Sequence, residues 1–389
     1  MNPLSYSVRF PLNKLTAVES HVIDLRLNAA DAHARFTPST AFQHLILDEL
    51  PNLFESARKR DQRDLDMEAF VSFQRLGNQN ASIENPHVSF YPCYSSSVAL
   101  EIAANSLSGT YASALVQHPT FDNIPDILRR NRIIPLPWDF YHQTEFDAER
   151  TNLWVLTAPN NPTGTVLGRG ELVHIATSAA ARGGMVIVDA SFRLFCEGAR
   201  YDYYEVLLEA GCDFIVIEDT GKIWPTLDLK LGFLCTSAKY EGTVRDTYDD
   251  ILLNVPPFTS QLVARISQYP QLLEEVHALI KANRTSLRTA LSTAHANQQV
   301  HFPFPSSEVS VDLLQFQSPE ERTALLNQLL VKDVALLPSD SFWWSISSLV
   351  SRSSVRIALA RDPEIIDEVA RAIAEHLEAC GSETMSGST

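Results

Sequence analysis

The chain has 389 residues, 45% of them hydrophobic, and a formal net charge of −16 from 47 acidic and 31 basic residues. That length carries a full core with room for two lobes, and the acidic balance argues against nucleic acid and anionic membranes, which ask for a basic face, while suiting a cationic substrate. Five cysteines without paired spacing predict reduced thiols in a cytoplasmic protein, neither disulfide frame nor zinc site; no basic-then-apolar leader is read, and no apolar run nears the ~20 residues of a membrane span.

Residues 1–44 read as a mixed arm, with Thr16 and Glu19 at capping-box spacing where a helix begins. From 45 to 290 helix and strand patterns alternate. Helices are expected at 43–60, 97–107, 122–130, 170–182 and 202–210, and strands at 113–117, 132–136, 153–157, 185–189, 213–217 and 231–236. Gly183-Gly184 reads as a helix stop before a strand. Strands alternating with helices imply a largely parallel sheet covered on both faces. A long helix over 271–294 leads into a second α/β unit, 291–389, with strands at 308–314, 333–337 and 354–359 and a closing helix near 364–379. The polar tail 381–389 is expected to be disordered.

Chemistry-bearing residues fall at the ends of these elements. Lys222 follows the apolar run Phe214–Ile217 in a tight polar turn, where desolvation favours a neutral, nucleophilic amine. Asp189 ends the strand Met185–Val188, and Asn161 follows the strand Leu153–Leu156 in Asn160-Asn161-Pro162-Thr163-Gly164. Ser95, Ser96 and Ser97 open an apolar helix, whose first N–H groups form an anion cradle. Arg356 sits mid-strand among apolar residues, a costly place for an unpaired charge. Open α/β sheets bind ligands at such strand ends.

In this order and spacing the segments resemble fold-type I pyridoxal-phosphate (PLP) enzymes, the aspartate aminotransferase superfamily, from about His33 to Arg361. The resemblance implies an α/β fold: a large domain with a mainly parallel seven-stranded sheet between helices, plus a smaller α/β C-terminal domain, assembled as a homodimer. It implies that Lys222 holds PLP covalently and that Asp189 pairs with its protonated pyridine nitrogen. Asn161 then contacts the phenolic oxygen, Phe121 stacks on the ring, and Ser95, Ser96 and Ser191 belong to the cofactor site. Lys230 stands where the family places a phosphate-binding arginine, and Arg356 matches the clamp on the substrate carboxylate. Phe192 departs from the usual tyrosine, so one hydroxyl is missing.

Asp219 stands where the family has a phosphate-binding serine. An acid is repelled by phosphate, which predicts that Asp219 faces a cation, with Asp228 and Glu19 as further acids suited to a guanidinium. The stretches Ala30–Arg35, Cys93–Ser97, His118–Ile124 and Ile217–Lys230 are similar to the oxygen- and PLP-dependent L-arginine oxidases of antibiotic and other natural-product pathways, which include hydroxylases and desaturases. That likeness implies O2 as co-substrate, His33 as an active-site histidine, and Thr16 and Glu19 in a segment closing over arginine. The expected reaction takes L-arginine to 4-hydroxy-2-oxoarginine, with 2-oxoarginine as side product, ammonia and hydrogen peroxide. A 4,5-desaturase giving dehydroarginine and a conventional aminotransferase stay open as alternatives.

Overall fold

The structure, a computed structural model, describes residues 14–138 and 151–386. Near the N-terminus, β1 (Leu27–Asn28) follows the helix Leu15–His21. A large sheet is built from β2 (Val88–Cys93), β3 (Ser113–Gln117), β4 (Ile134–Trp138), β5 (Leu153–Thr157), β6 (Met185–Asp189), β7 (Asp213–Asp219) and β8 (Gly232–Ser237). The remaining strands are β9 (Val300–His301), β10 (Val311–Phe316), β11 (Val334–Ala335), β12 (Leu337–Pro338) and β13 (Ser354–Ala358).

The seven strands lie in the order β2-β8-β7-β6-β5-β3-β4, and only β8 runs against the rest. β5 is buried at every position and β6 at every position but its terminal Asp189, which is why both read as continuous apolar runs. Helices such as Ser96–Ser106, Arg169–Ala180 and Tyr203–Glu209 complete the crossovers. Gly183 takes a left-handed φ of 62° between a helix and β6, the stop its sequence announces. A second, antiparallel sheet runs β12-β13-β10-β9, and β1 pairs in parallel with β11, tying the arm to the C-terminal part of the chain. No described helix is long and apolar enough to cross a membrane. Cys93, Cys196, Cys212 and Cys235 are buried and unpaired.

Several expectations change. The helix expected over 43–60 is two, Thr40–Leu47 and Leu50–Lys59, because Pro51 has no N–H and its ring crowds the carbonyl one turn back. The capping box at Thr16 and Glu19 does not form. Lys14 precedes the first turn without a side-chain cap, and Leu15 donates its N–H to Asp122 Oδ2 at 2.8 Å. The closing helix runs from Pro363 to Ser386, into the stretch expected to be disordered: each residue added to a formed helix gains a hydrogen bond, and Gly381 alone does not stop it. Residues 387–389 lie outside the described residues.

Candidate active site

Strand register assembles the site. Thr157 of β5 faces Asp189 of β6, which faces Ile217 of β7, so three parallel strands bring their ends to one sheet edge. Asn161 and Lys222 follow within a few residues, where open α/β sheets place ligands. Lys222 closes a 3-10 turn, Thr220–Lys222, which Asp219 Oδ1 caps by accepting the Gly221 N–H at 2.8 Å. Thr220 braces the turn against Leu231 twice: its N–H donates to the Leu231 carbonyl, and its hydroxyl oxygen accepts the Leu231 N–H.

Lys222 Nζ lies 3.4 Å from His33 Nε2, and Lys230 Nζ lies 2.6 Å from the same nitrogen. The other ring nitrogen, Nδ1, is 2.6 Å from Asp31 Oδ1. Asp31 also accepts from Arg35 Nε at 2.7 Å. Burial pushes the Asp31 carboxyl up, but His33, Lys222 and Arg35 outweigh it and hold it well below the usual carboxylate range. Behind this row the fully buried Arg361 donates to the carbonyls of Asn28, Asp31 and His33, fixing the loop that carries the histidine. Burial pulls the Arg361 guanidinium down to about 10. Sequence reasoning passed over Asp31 and Arg361 as functional residues; the signal was the alternation Asp31-x-His33-x-Arg35 in an alanine-rich stretch.

Asp219 is buried but does not look into open space. Its Oδ2 accepts the Ser96 N–H and hydroxyl, each at 3.0 Å. The acid thus takes the anion position at a helix start, where N–H groups and two nearby lysines favour it. Burial raises its carboxyl pKa, and Lys222, Lys230 and His33 more than reverse this. The cations near Asp219 are the chain's own Lys222 and Lys230, and its carboxylate sits against the Ser96 N–H that the sequence assigned to the phosphate cradle. Ser95 caps the same helix, accepting from Val98 N–H at 3.3 Å. A Cβ on Gly232 would stand 2.5 Å from the Ser95 carbonyl carbon, so glycine is what lets β8 approach the cradle.

Arg356 has no exposed surface. It donates to Glu19 Oε1 at 2.6 Å, to the Ala30 carbonyl at 2.5 Å and to Asn161 Oδ1 at 3.3 Å, and its Nε–H has no hydrogen-bond partner among the described residues. The guanidinium lies 6.0 Å from the Phe121 ring centroid and 5.3 Å from that of Phe342. Asn161, Phe121, Arg356 and Glu19 are therefore brought together. Thr16 is exposed on the arm helix. Asp228, half exposed, reaches Arg35 at 3.4 Å and Lys230 at 3.6 Å, at the rim. Phe192 is buried against Phe195.

Asp189 tests whether these residues suit PLP. Its carboxylate accepts the Ser191 N–H at 3.0 Å and hydroxyl at 2.5 Å, and it pairs with no cation among the described residues. Burial pushes its pKa up. A part-buried acid without a cationic partner suits a positively charged hydrogen-bond donor, which a protonated pyridine nitrogen supplies. With a lysine one strand away, an asparagine and a phenylalanine gathered at Arg356, and Lys230 close to the helix-start Asp219, the residues fit the cofactor.

A lysine at the edge of a seven-stranded, mainly parallel sheet, with that acid on the neighbouring strand, defines a PLP-dependent enzyme of fold-type I. The family model for aminotransferase class I and II matches residues 72–373, and the chain belongs to that family. A solved structure of MppP soaked with the product 2-ketoarginine is 37% identical, covering 90% of this chain and 99% of its own, with a TM-score of 0.82. Histidinol-phosphate aminotransferase of Caldicellulosiruptor saccharolyticus is 23% identical over 197 residues, 50% of this chain and 51% of that one. Aspartate aminotransferase of Bacillus sp. strain YM-2 is 24% identical over 230 residues, 57% and 56% of the two chains. The chain spans about half the length of these two relatives.

Proposed function

We propose that the chain is a PLP- and dioxygen-dependent L-arginine oxidase. It makes 4-hydroxy-2-oxoarginine with 2-oxoarginine alongside, and releases ammonia and hydrogen peroxide. The observation that carries this reading is His33, held by Asp31 and placed 3.4 Å from the amine of Lys222. A conventional transamination needs one base, the lysine. A histidine backed by a carboxylate beside it supplies a second proton acceptor, which oxidation further along a side chain requires. The likeness to MppP soaked with 2-ketoarginine supports an arginine-derived ligand.

PLP, when bound, supplies the electron sink. The chain's residues do the rest. Arg356 receives the substrate carboxylate, with its unpartnered Nε–H available to it. That carboxylate replaces Glu19, and the released Glu19 becomes an acceptor for the guanidinium at the other end of the substrate. Lys222 takes the α-proton as a general base; His33 Nε2 serves the later proton, and Asp31 stabilises the charge it acquires. Asp189 keeps the ring nitrogen protonated.

For partners we propose a second copy of the chain. An apolar groove opens beside His33, with Leu47 63% exposed and Leu227 92% exposed. The domain division at 44 and 290 and a cytoplasmic setting belong to the same reading. A conventional aminotransferase is the second reading, favoured by the names of the sequence relatives. Product masses after incubation with L-arginine and air, without a keto acid, separate the outcomes. A product one oxygen heavier than 2-oxoarginine supports the hydroxylase, one two mass units lighter the desaturase, and no product without a keto acid the aminotransferase.

A further inference from the structure

A second cavity, of about 450 Å³, shares no lining residue with the site above. It lies between the segment after β6, the long helix Pro270–Ala290 and the loop before β10. Its volume is in the ~300–1,000 Å³ range of small-molecule sites. The charges around it are unbalanced and layered. Arg200 donates to the Leu194 carbonyl and lies 3.1 Å from His277 Nε2, but among the described residues it meets no acid within ion-pair distance and its buried Nε–H has no hydrogen-bond partner. Arg284 donates to the carbonyls of Val309 and Val311 and shares the single carboxylate of Asp312 with Arg288. Its buried Nε–H also lacks a hydrogen bond. The Ser307 hydroxyl, on a residue 7% exposed, lacks one too. Burial pulls both guanidinium pKa values down, as under-compensated cations require. Glu197 and Glu308, by contrast, are exposed and ion-pair with no described residue. Apolar surface comes from Phe195 and Ile280.

Inside, two guanidinium Nε–H groups and a hydroxyl lack hydrogen-bond acceptors among the described residues; outside, beside the lining Lys281, two carboxylates form no ion pair with a described residue. We propose that this cavity is a binding site for a small zwitterion. The ligand's carboxylate enters against Arg200, Arg284 and Ser307, and its cationic end stays at Glu197 and Glu308. A guanidinium prefers a carboxylate to a spherical anion because it offers paired planar donors. An amino-acid-like molecule is the chemical class that meets both ends, with its methylene chain on Phe195 and Ile280. The inference is independent of the arginine-oxidase reading.

Titration calorimetry on the PLP-loaded full chain with 5-aminopentanoate tests it, beside pentanoate and pentylamine. The expected result is one saturable event for 5-aminopentanoate that persists in Arg356→Ala. It weakens about ten-fold or more in Arg200→Gln. Pentanoate binds more weakly, and pentylamine does not bind. Glu308→Gln, at an exposed position, weakens 5-aminopentanoate and leaves pentanoate unchanged, and it carries the test if Arg200→Gln does not fold. No saturable binding, binding lost in Arg356→Ala but kept in Arg200→Gln, or pentylamine binding as well as the zwitterion would overturn the proposal.

Discussion

Glu19 Oε1 lies 2.6 Å from a terminal nitrogen of Arg356, so a carboxylate of the arm helix occupies the guanidinium that we propose receives the substrate carboxylate. The pair spans 337 residues of sequence. In the proposed function the arm's Glu19 and the substrate carboxylate compete for this one guanidinium.

Glu19→Gln therefore acts differently on two substrates. L-norleucine, which has no guanidinium, binds more tightly because its carboxylate meets a weaker competitor. L-arginine loses the acceptor for its far end, and kcat/KM falls by about ten-fold or more. The measurement is binding and steady-state turnover for both amino acids; parallel losses for both would show that Glu19 has only a structural role.

Asp31→Asn removes the carboxylate behind His33. Turnover is expected to fall by about a hundred-fold or more, the scale of a positioned base, while the visible spectrum of bound cofactor is kept. His33→Asn should cost a similar factor, and the double variant little more, because the two side chains act as a unit. Additive losses would place them in separate roles.

Much of this site was legible before any fold was known. Asp189, Asn161 and Lys222 each end or follow a fully apolar run, and such runs mark buried parallel strands whose ends share an edge. Elements that broke the pattern were missed or shifted. β2 contains Pro92 and β4 contains Pro135 and Pro137, and prolines argue against strands; both strands lie at the two edges of the sheet, where a missing N–H is tolerated. The helix Gln62–Leu76 went unread, although its Gln74 donates at 2.8 Å to Glu218 of β7, itself buried in an ion pair with Arg193. The arm's pairing with Arg356 and the Asp219 contact with Ser96 join residues 337 and 123 positions apart, which no local pattern encodes.

Asp189→Asn leaves an amide where an acid has no described cationic partner. Folding should be retained or improved, since burial already disfavours the charged acid. Turnover should fall by at least about a hundred-fold because the ring nitrogen loses its anion. Equal turnover would remove Asp189 from the cofactor site.

Asp122 gives a pH signature for the arm. Burial pushes its carboxyl up to about 6, against the opposing pull of the Leu15 N–H. A carboxyl that binds its proton more tightly folded than unfolded contributes stability at low pH, and that contribution is lost as pH rises through about 6. The stability of the chain relative to Asp122→Asn should therefore decline between about pH 4 and pH 7, read by chemical denaturation at each pH. A constant difference would mean that the folded carboxyl titrates like the unfolded one.

Oxygen uptake is the most direct test of the central claim. Purified chain loaded with PLP and given L-arginine in air, with no keto acid, is predicted to consume dioxygen and release ammonia, and Lys222→Ala to do neither. No oxygen consumption, with ammonia-free turnover appearing only when a keto-acid acceptor is added, would contradict the oxidase and leave a conventional aminotransferase.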